Sequence, residues 1–308
     1  MSDPILVIGA SLLDTKGKPL AGLEPGASNP GVIQRTRGGT ARNVAENLGR
    51  YGAEVILLSA LGDDISGQWL QRATAEAGVD MSRVIVSPAH RTGSYIAFLE
   101  TDGTLSVALN DTRVMEIITP DYVQSHADLF AEASMLFIDG SLPEATIKTA
   151  VELARAHKLP ICADPSSVRL VHKFRPYIRD FKLIVPNEVE ASAMANGEFA
   201  GFDPDASLDV ARRLERQGIE TVVITLSDFG FVYVSHDESG YFPAKYHTFV
   251  DSTGTGDAIT AAIMFGMLEE IPITECMRLG AAAASLTLQS DESVRTDLSL
   301  DLLYDHLT

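Results

Sequence analysis

The chain returns again and again to short, wholly apolar runs that stop at a turn residue. They are Ile5-Leu6-Val7-Ile8 before Gly9, Val55 to Leu58 before Gly62-Asp63-Asp64, Met135 to Ile138 before Asp139, Ile161-Cys162-Ala163 before Asp164-Pro165, and Leu183-Ile184-Val185 before Pro186, with Thr221 to Leu226 a further strand around Val222-Val223-Ile224. A run that is apolar at every position, not at alternate ones, suits a strand covered on both faces. Segments with helical spacing fall between or after these runs, at about 40–50, 66–77, 121–131, 144–157, 205–217, 255–268, 273–289 and 298–306. Strands alternating with helices of this length call for a mainly parallel sheet with helices on both sides. A chain of 308 residues that is 45% apolar can bury one such core. No linker, repeat or low-complexity stretch divides it, so one domain over residues 1–308 is expected. Trp69, Leu70 and Ala73 share a helix face, and Trp69 reads as core packing.

Two segments break the alternation. Residues 15–37 are rich in Gly, Pro, Lys and Ser without a helical period, and only Val32 to Thr36 resembles a strand. Ser94 to Leu99 and Leu105 to Asn110 flank Thr101-Asp102-Gly103, a hairpin signal. Together these segments, about 15–37 and 91–113, are expected to form a small β lid outside the main sheet. Its exposed strand edges suggest pairing between two copies of the chain.

The chemistry concentrates at Asp251-Ser252-Thr253-Gly254-Thr255-Gly256-Asp257, between a strand-like run and a small-residue helix. A glycine turn opening a helix leaves N–H groups and a dipole that favour an anion. A carboxylate on that first turn can take a proton from an alcohol while the N–H groups steady a phosphoryl group. The plainer alternative is that Asp251 and Asp257 cap the helix and the glycines make a turn. The turn has neither the third glycine of a dinucleotide fingerprint nor the lysine of a Walker A loop.

Other candidates lie along the chain. Asp14 follows the first strand, as a crevice carboxylate or as a solvated loop acid. Gly38-Gly39 precedes a helix and permits close approach of a ligand, with Asn43 near the helix start, as a ligand contact or as a polar residue satisfying local backbone. Asn187-Glu188-Val189-Glu190 stands where oxygen ligands suit Mg²⁺, or where helix acids complement the dipole. Thr225 to Gly230 is a polar strand-end turn.

Lys plus Arg is 24 and Asp plus Glu is 42, a net charge of −18, which argues against binding nucleic acid polymers or anionic membranes. No stretch is long and apolar enough to span a bilayer, and Met1-Ser2-Asp3-Pro4 lacks the basic start of a signal peptide. The two cysteines, Cys162 and Cys276, stand far apart and read as core thiols of a cytoplasmic protein. Seven histidines show no metal-binding spacing.

Taken together, Gly38-Gly39 with Asn43 and Ala45, Asn187-Glu188-x-Glu190, and Asp251-x-Thr253-Gly254-x-Gly256-Asp257 resemble the motifs of the ribokinase-like (PfkB) carbohydrate kinases, in that family's order over essentially the whole chain. Within it, Ser28 to Gly31, Gly38 to Leu48, the Ser94-Tyr95 strand and Ala108 to Asp111 are most similar to the pseudouridine kinases. The resemblance implies a three-layer α/β/α sandwich with a β lid, ATP as donor and Mg²⁺ as metal. The acceptor it implies is the 5′-hydroxyl of pseudouridine or, alternatively, a simple sugar or another nucleoside. A non-catalytic binding protein on the same fold is a further alternative. By resemblance Asp257 is the general base and the N–H groups of Gly254, Thr255 and Gly256 the anion hole. Asp14, Gly38, Gly39 and Asn43 match substrate contacts, and Asn187 and Glu190 the phosphate and metal motif. Thr225, Ser227, Gly230 and Thr253 fall in the nucleotide turns. Among the lid's polar residues, Ser28, Asn29, Thr92, Ser94 and Asn110, a base contact is expected from Asn29 or Asn110. Thr255 replaces a usual alanine, Ser252 a threonine and Ser227 a glycine, while Gln289 to Glu292 follow no pattern of the family.

Overall fold

The computed structural model describes residues 3–197, 201–236, 238–246 and 248–307. The chain opens with β1 (Ile5–Ile8), runs out through β2 (Leu12–Pro19) and β3 (Gly31–Gly38), and returns as α1 (Thr40–Arg50). Next come β4 (Val55–Leu58), β5 (Ala60–Gly62), α2 (Ile65–Glu76), β6 (Val79–Asp80) and β7 (Ile85–Ser87). β8 (Gly93–Leu99) and β9 (Leu105–Asp111) form a hairpin, and α3 (Pro120–Gln124) and α4 (Ala127–Glu132) lead into β10 (Met135–Asp139). α5 (Glu144–His157), β11 (Ile161–Asp164), β12 (Phe181–Ile184), α6 (Glu188–Met194) and α7 (Pro204–Arg216) continue the alternation. The chain ends with β13 (Thr221–Thr225), β14 (Gly230–Ser235), β15 (Glu238–Pro243), α8 (Thr255–Leu268), α9 (Ile273–Leu288) and α10 (Leu300–Asp305).

Nine strands form one sheet in the order β15-β14-β13-β12-β11-β10-β1-β4-β6. It is parallel from β13 to β6 and antiparallel at β14 and β15. Successive side chains of a strand point to opposite faces. Ile5 and Val7 accordingly join one buried cluster with Val44, Leu48, Ile259 and Leu279 of α1, α8 and α9. Leu6 and Ile8 join another with Ile147, Val151 and Leu214 of α5 and α7. These are the two helical layers that uninterrupted apolar runs require.

A second sheet, β3-β2-β8-β9, stands beside the first. It contains β2, most of which falls in the segment 15–37 that shows no strand pattern before Val32. The buried positions of β2 include Asp14 and Lys16 as well as Leu12, so its period-two pattern cannot be seen in hydropathy. The expected 121–131 helix is two short ones. Ser125 Oγ and His126 Nδ1 both engage the Tyr122 carbonyl and compete with the helical ladder there. Trp69 is only half-buried, while Leu70 and Ala73 on the same helix carry the packing. Cys162 and Cys276 are buried and unpaired. Among the described residues, no helix is long and apolar enough to cross a membrane.

Candidate active site

Parallel sheets bind ligands beyond the carboxyl ends of their strands, and the polar residues converge at that end here. Asp139 closes β10 and is paired in register with Asp164, which closes β11. Asp139 has no exposed surface and accepts the N–H groups of Ala10 at 2.8 Å, Ala41 at 3.1 Å and Ser141 at 2.9 Å. It thereby ties the end of β1 to the first turn of α1. A Cβ at Gly9 would lie 2.3 Å from its Oδ2, so this approach needs glycine.

Gly38 and Gly39 admit another acid. A Cβ on Gly38 would stand 2.0 Å from Asp14 Oδ1, and one on Gly39, at φ 93°, would stand 2.4 Å from the Ala10 carbonyl. Asp14 is therefore neither a loop residue nor solvated. It sits on β2, buried against the glycine turn. Burial raises its pKa to about 6, although Arg42 and Lys16 pull it down. Two residues along β2, buried Lys16 pairs with Asp251, whose other oxygen accepts the Thr253 N–H at 2.8 Å. Burial would raise Asp251, but Lys16 outweighs it and holds the carboxyl below its usual range. The small sheet is thus joined by an ion pair to the head of the glycine turn before α8.

Asp257 lies on the first turn of α8 and accepts a hydrogen bond from Asn43 Nδ2 at 2.6 Å. Its surroundings push its pKa up to about 7. Burial is the main cause, Asn43 and Arg42 oppose it, and Asp14 and Asp139 add to it. A carboxylate tuned near neutrality is suited to act as a base. Gly254 precedes the helix at φ 84°, and a Cβ there would stand 2.2 Å from the Ser293 carbonyl. No side chain caps this helix. The Thr255 N–H turns inward to the Ser252 carbonyl at 3.2 Å. Helix geometry gives the N–H groups of Gly256 and Asp257 no acceptor within the helix, so the anion-receptive groups centre on Gly256, one residue later than expected.

Asn187 and Glu190 form a reciprocal capping box, with the Glu190 N–H on Asn187 Oδ1 at 3.0 Å and the Asn187 N–H on Glu190 Oε2 at 2.9 Å. This capping box fixes the buried Glu190 carboxylate at the strand end, with both acids in the first turn of α6. Burial raises the Glu190 pKa against the Asn187 hydrogen bonds. Burial, then Glu190 and Asp257, raise Asp164 well above its usual range. Buried Glu188 is lifted to about 7, mainly by desolvation.

Several expected contacts fall elsewhere. The Asn29 amide is engaged by its own loop, accepting the Glu24 N–H at 2.8 Å and donating to the Glu24 and Ala27 carbonyls. The ladder runs five steps from the Asp14–Thr36 pair to Pro19–Gly31, about 17 Å at strand rise, so Asn29 stands at the far tip of the small sheet. Thr92 is consumed by Asp64 and Gly62. Ser94 is in register with Leu13 and Asp111, on the face opposite Asp14. Tyr95, not Ser94, shares the Asp14 face, and Asn110 is its partner on β9. Burial and the Asp14 charge raise the Tyr95 pKa. Ser227 adopts φ 53° at the strand-end turn, a left-handed position that favours glycine. Gly230, at φ 110°, is needed because a Cβ would meet the Phe242 carbonyl at 2.0 Å. Thr225 ends β13 with its Cγ2 4.0 Å from where a Gly256 Cβ would sit.

Sequence reasoning missed Tyr95, Lys16, Arg42, Asp139 and Asp164. Three of these carried a readable signal: Asp139 and Asp164 in their strand-terminal placing, and Arg42 in its i,i+4 pairing with Glu46.

The sequence profile of the pfkB family of carbohydrate kinases matches residues 3–298. The chain is 29% identical to a pseudouridine kinase from Escherichia coli over 299 residues, 97% of this chain and 94% of that one. It is 26% identical to a guanosine-inosine kinase from Exiguobacterium acetylicum over 301 residues, 97% and 99% of the two chains. A structure of Arabidopsis thaliana ribokinase complexed with ribose and ATP superposes with a TM-score of 0.84 at 20% identity, covering 100% of this chain and 99% of that one.

Proposed function

The chain belongs to the PfkB family of carbohydrate kinases and is a phosphotransferase acting on an alcohol, and from that premise we propose that it transfers the γ-phosphoryl group of ATP to the 5′-hydroxyl of pseudouridine. The observation that carries the reading is Asp257, tuned to about 7 at the open start of α8 and held by Asn43. Asp257 takes the hydroxyl proton as the acceptor oxygen bonds to the γ-phosphorus and ADP leaves. The N–H groups about Gly256 steady the phosphoryl oxygens. Asp14 and the second Asn43 amide hydrogen face the ribosyl hydroxyls, and Tyr95 and Asn110 face the base. Thr225, Ser227 and Thr253 border the nucleotide.

Mg²⁺ fits the strand ends beside Glu190. Glu190 and Asp164 are buried acids, and Asp164 is raised in part by the Glu190 charge, which is the signature of a place short of positive charge. Among the described residues no three metal-ligating side chains gather into a cage, so the ion would sit largely on water and phosphate oxygens with Glu190 behind them. When bound, it neutralises charge on the phosphates.

The whole chain acts in this reading as one cytoplasmic domain, with the four-stranded sheet as its lid. A second copy of the chain is its partner. Ile33, Ile96, Phe98, Val107 and Leu109 expose apolar surface on the lid face opposite Asp14, and β3 and β9 are open edges. Sedimentation of Phe98→Asp should show monomers where the parent is a dimer. A monomeric parent would remove the partner.

The pseudouridine kinase relative is one reason for the acceptor, and the guanosine-inosine kinase keeps other nucleosides in contention. ADP release measured with pseudouridine, uridine, adenosine, ribose and fructose decides it. Pseudouridine carries a ring N–H that uridine lacks, and a site bonded to it leaves a polar group unpaired when uridine binds. A specificity constant for pseudouridine at least about tenfold above that for uridine is expected, about 1.4 kcal/mol. Equal rates, or a preference for ribose or fructose, would replace the acceptor and leave the kinase.

A further inference from the structure

α1 carries a fully buried arginine that donates to four acceptors. Arg42 Nε donates to the Gly38 carbonyl at 2.8 Å, and Nη2 to the Arg37 carbonyl at 3.0 Å. Nη1 pairs with Glu46 Oε2, and Nη2 also donates to Asn43 Oδ1. Glu46 is equally buried, and its other oxygen is held by Arg50 at 2.8 Å and faces Arg37 at 3.5 Å. Burying a guanidinium this deeply is costly unless every donor finds an acceptor. Four acceptors meet it here, and one of them is a residue of the candidate site.

We propose that Arg42 is a positioning residue for the catalytic base, acting through the carboxamide of Asn43. The proposal rests on Asp257 being that base. The two ends of a carboxamide are nearly the same shape, so packing alone does not choose between them. Arg42 offers only donors and can face only Oδ1. The opposite end, Nδ2, is then turned to Asp257 Oδ2 at 2.6 Å. The same guanidinium, through the Gly38 and Arg37 carbonyls, holds the glycine turn against which Asp14 packs. One buried cation thus sets the acid that meets the substrate and the amide that aims the base. The charged groups around the unit are Glu46 and Arg37 on the Arg42 side and Asp14, Asp139 and Asp164 on the Asp257 side. Asn43 joins the two sides, bonded to Arg42 at one end of its carboxamide and to Asp257 at the other.

A double-mutant cycle in turnover tests the proposal. Arg42→Gln leaves Glu46 paired with Arg50 and Arg37, and Asn43→Ala removes the carboxamide that carries the effect. Arg42→Gln alone is expected to lower kcat about tenfold with little change in the KM for ATP. In an Asn43→Ala background it should cost less than about twofold more, because groups acting as one unit are not additive. Arg42→Lys keeps the buried charge without the planar fork and should recover part of the loss. Should Arg42→Gln fail to fold, the cycle is run with Arg42→Lys. Additive losses in the cycle, or an unchanged kcat in both Arg42 variants, would overturn the proposal and leave Arg42 as a core ion pair. If Asp257→Asn itself turns over normally, it is the assignment of the base that falls. If Asp257→Asn is inactive and the cycle is additive, only the role of Arg42 falls.

Discussion

Helices α1 and α8 begin in the same way and finish their first turns differently. Each follows a glycine with positive φ, Gly39 at 93° and Gly254 at 84°, and neither has a side-chain cap from that residue. At α1 the N-terminal groups are answered from within: Ala41 donates to Asp139, and Arg42 N–H to the Ala10 carbonyl at 3.1 Å. At α8 the Thr255 N–H is closed by its own turn and the acid of the first turn, Asp257, faces Asn43 across the crevice. The same local device is stoppered by the protein's own carboxylate at α1 and, on the proposed function, receives a ligand's anion at α8. A glycine turn before a helix therefore announces a site only when no buried acid from another strand fills it.

The largest effect that would test this contrast is at Gly254. Gly254→Ala forces a Cβ into left-handed backbone and against the Ser293 carbonyl, shifting the N–H groups that meet the phosphoryl group. Turnover should fall by roughly 10², measured as kcat at saturating ATP and nucleoside. A loss below threefold would mean that the turn does not hold the anion. At the stoppered helix, the effect should be on folding. Asp139→Asn replaces one acceptor with a donor facing buried N–H groups, and denaturant unfolding should show a loss of about 3 kcal/mol. Unchanged stability would show that α1, too, begins open.

Asp257 links the site to pH. Its carboxyl titrates near 3.8 when unfolded and at about 7 when folded, so the stability it contributes in protonated form is present below 3.8 and lost as pH rises through 7. Asp257→Asn removes that loss and should raise the Tm at pH 8 while leaving it unchanged at pH 4. Equal shifts at both would contradict a raised pKa. The smallest effect is at the nucleotide turn: Ser227→Gly relieves left-handed backbone at φ 53° and should stabilise by about 1 kcal/mol. Destabilisation would mean that the hydroxyl, not the backbone, governs this turn.

What could be read in the sequence follows from where the polar residues lie. Strands such as Ile5–Ile8 and helices such as Glu144–His157 put apolar side chains inward, and their periods are visible. β2 puts Asp14 and Lys16 inward because a crevice, not a core, lies beneath it, and its strand character is hidden for that reason. The Lys16–Asp251 pair joins residues 235 positions apart in sequence, a contact with no local signal. Asn187-Glu188-Val189-Glu190 was legible as a motif at a helix start, and its capping box is what orients the Glu190 carboxylate. Ser94 and Tyr95 lie on opposite faces of β8, and only Tyr95 shares the face of Asp14. One residue of register exchanges the two sides of a strand, and nothing in the hairpin sequence fixes which side meets the crevice.

The account turns on Asp257 as the group that takes the acceptor's proton. ADP release by Asp257→Asn, with ATP, Mg²⁺ and pseudouridine at pH 8 and nucleoside binding measured in parallel, tests it most directly. The account predicts turnover lower by roughly 10² or more, with ATP and nucleoside affinities changed much less. Turnover within a few-fold of the parent enzyme would contradict it.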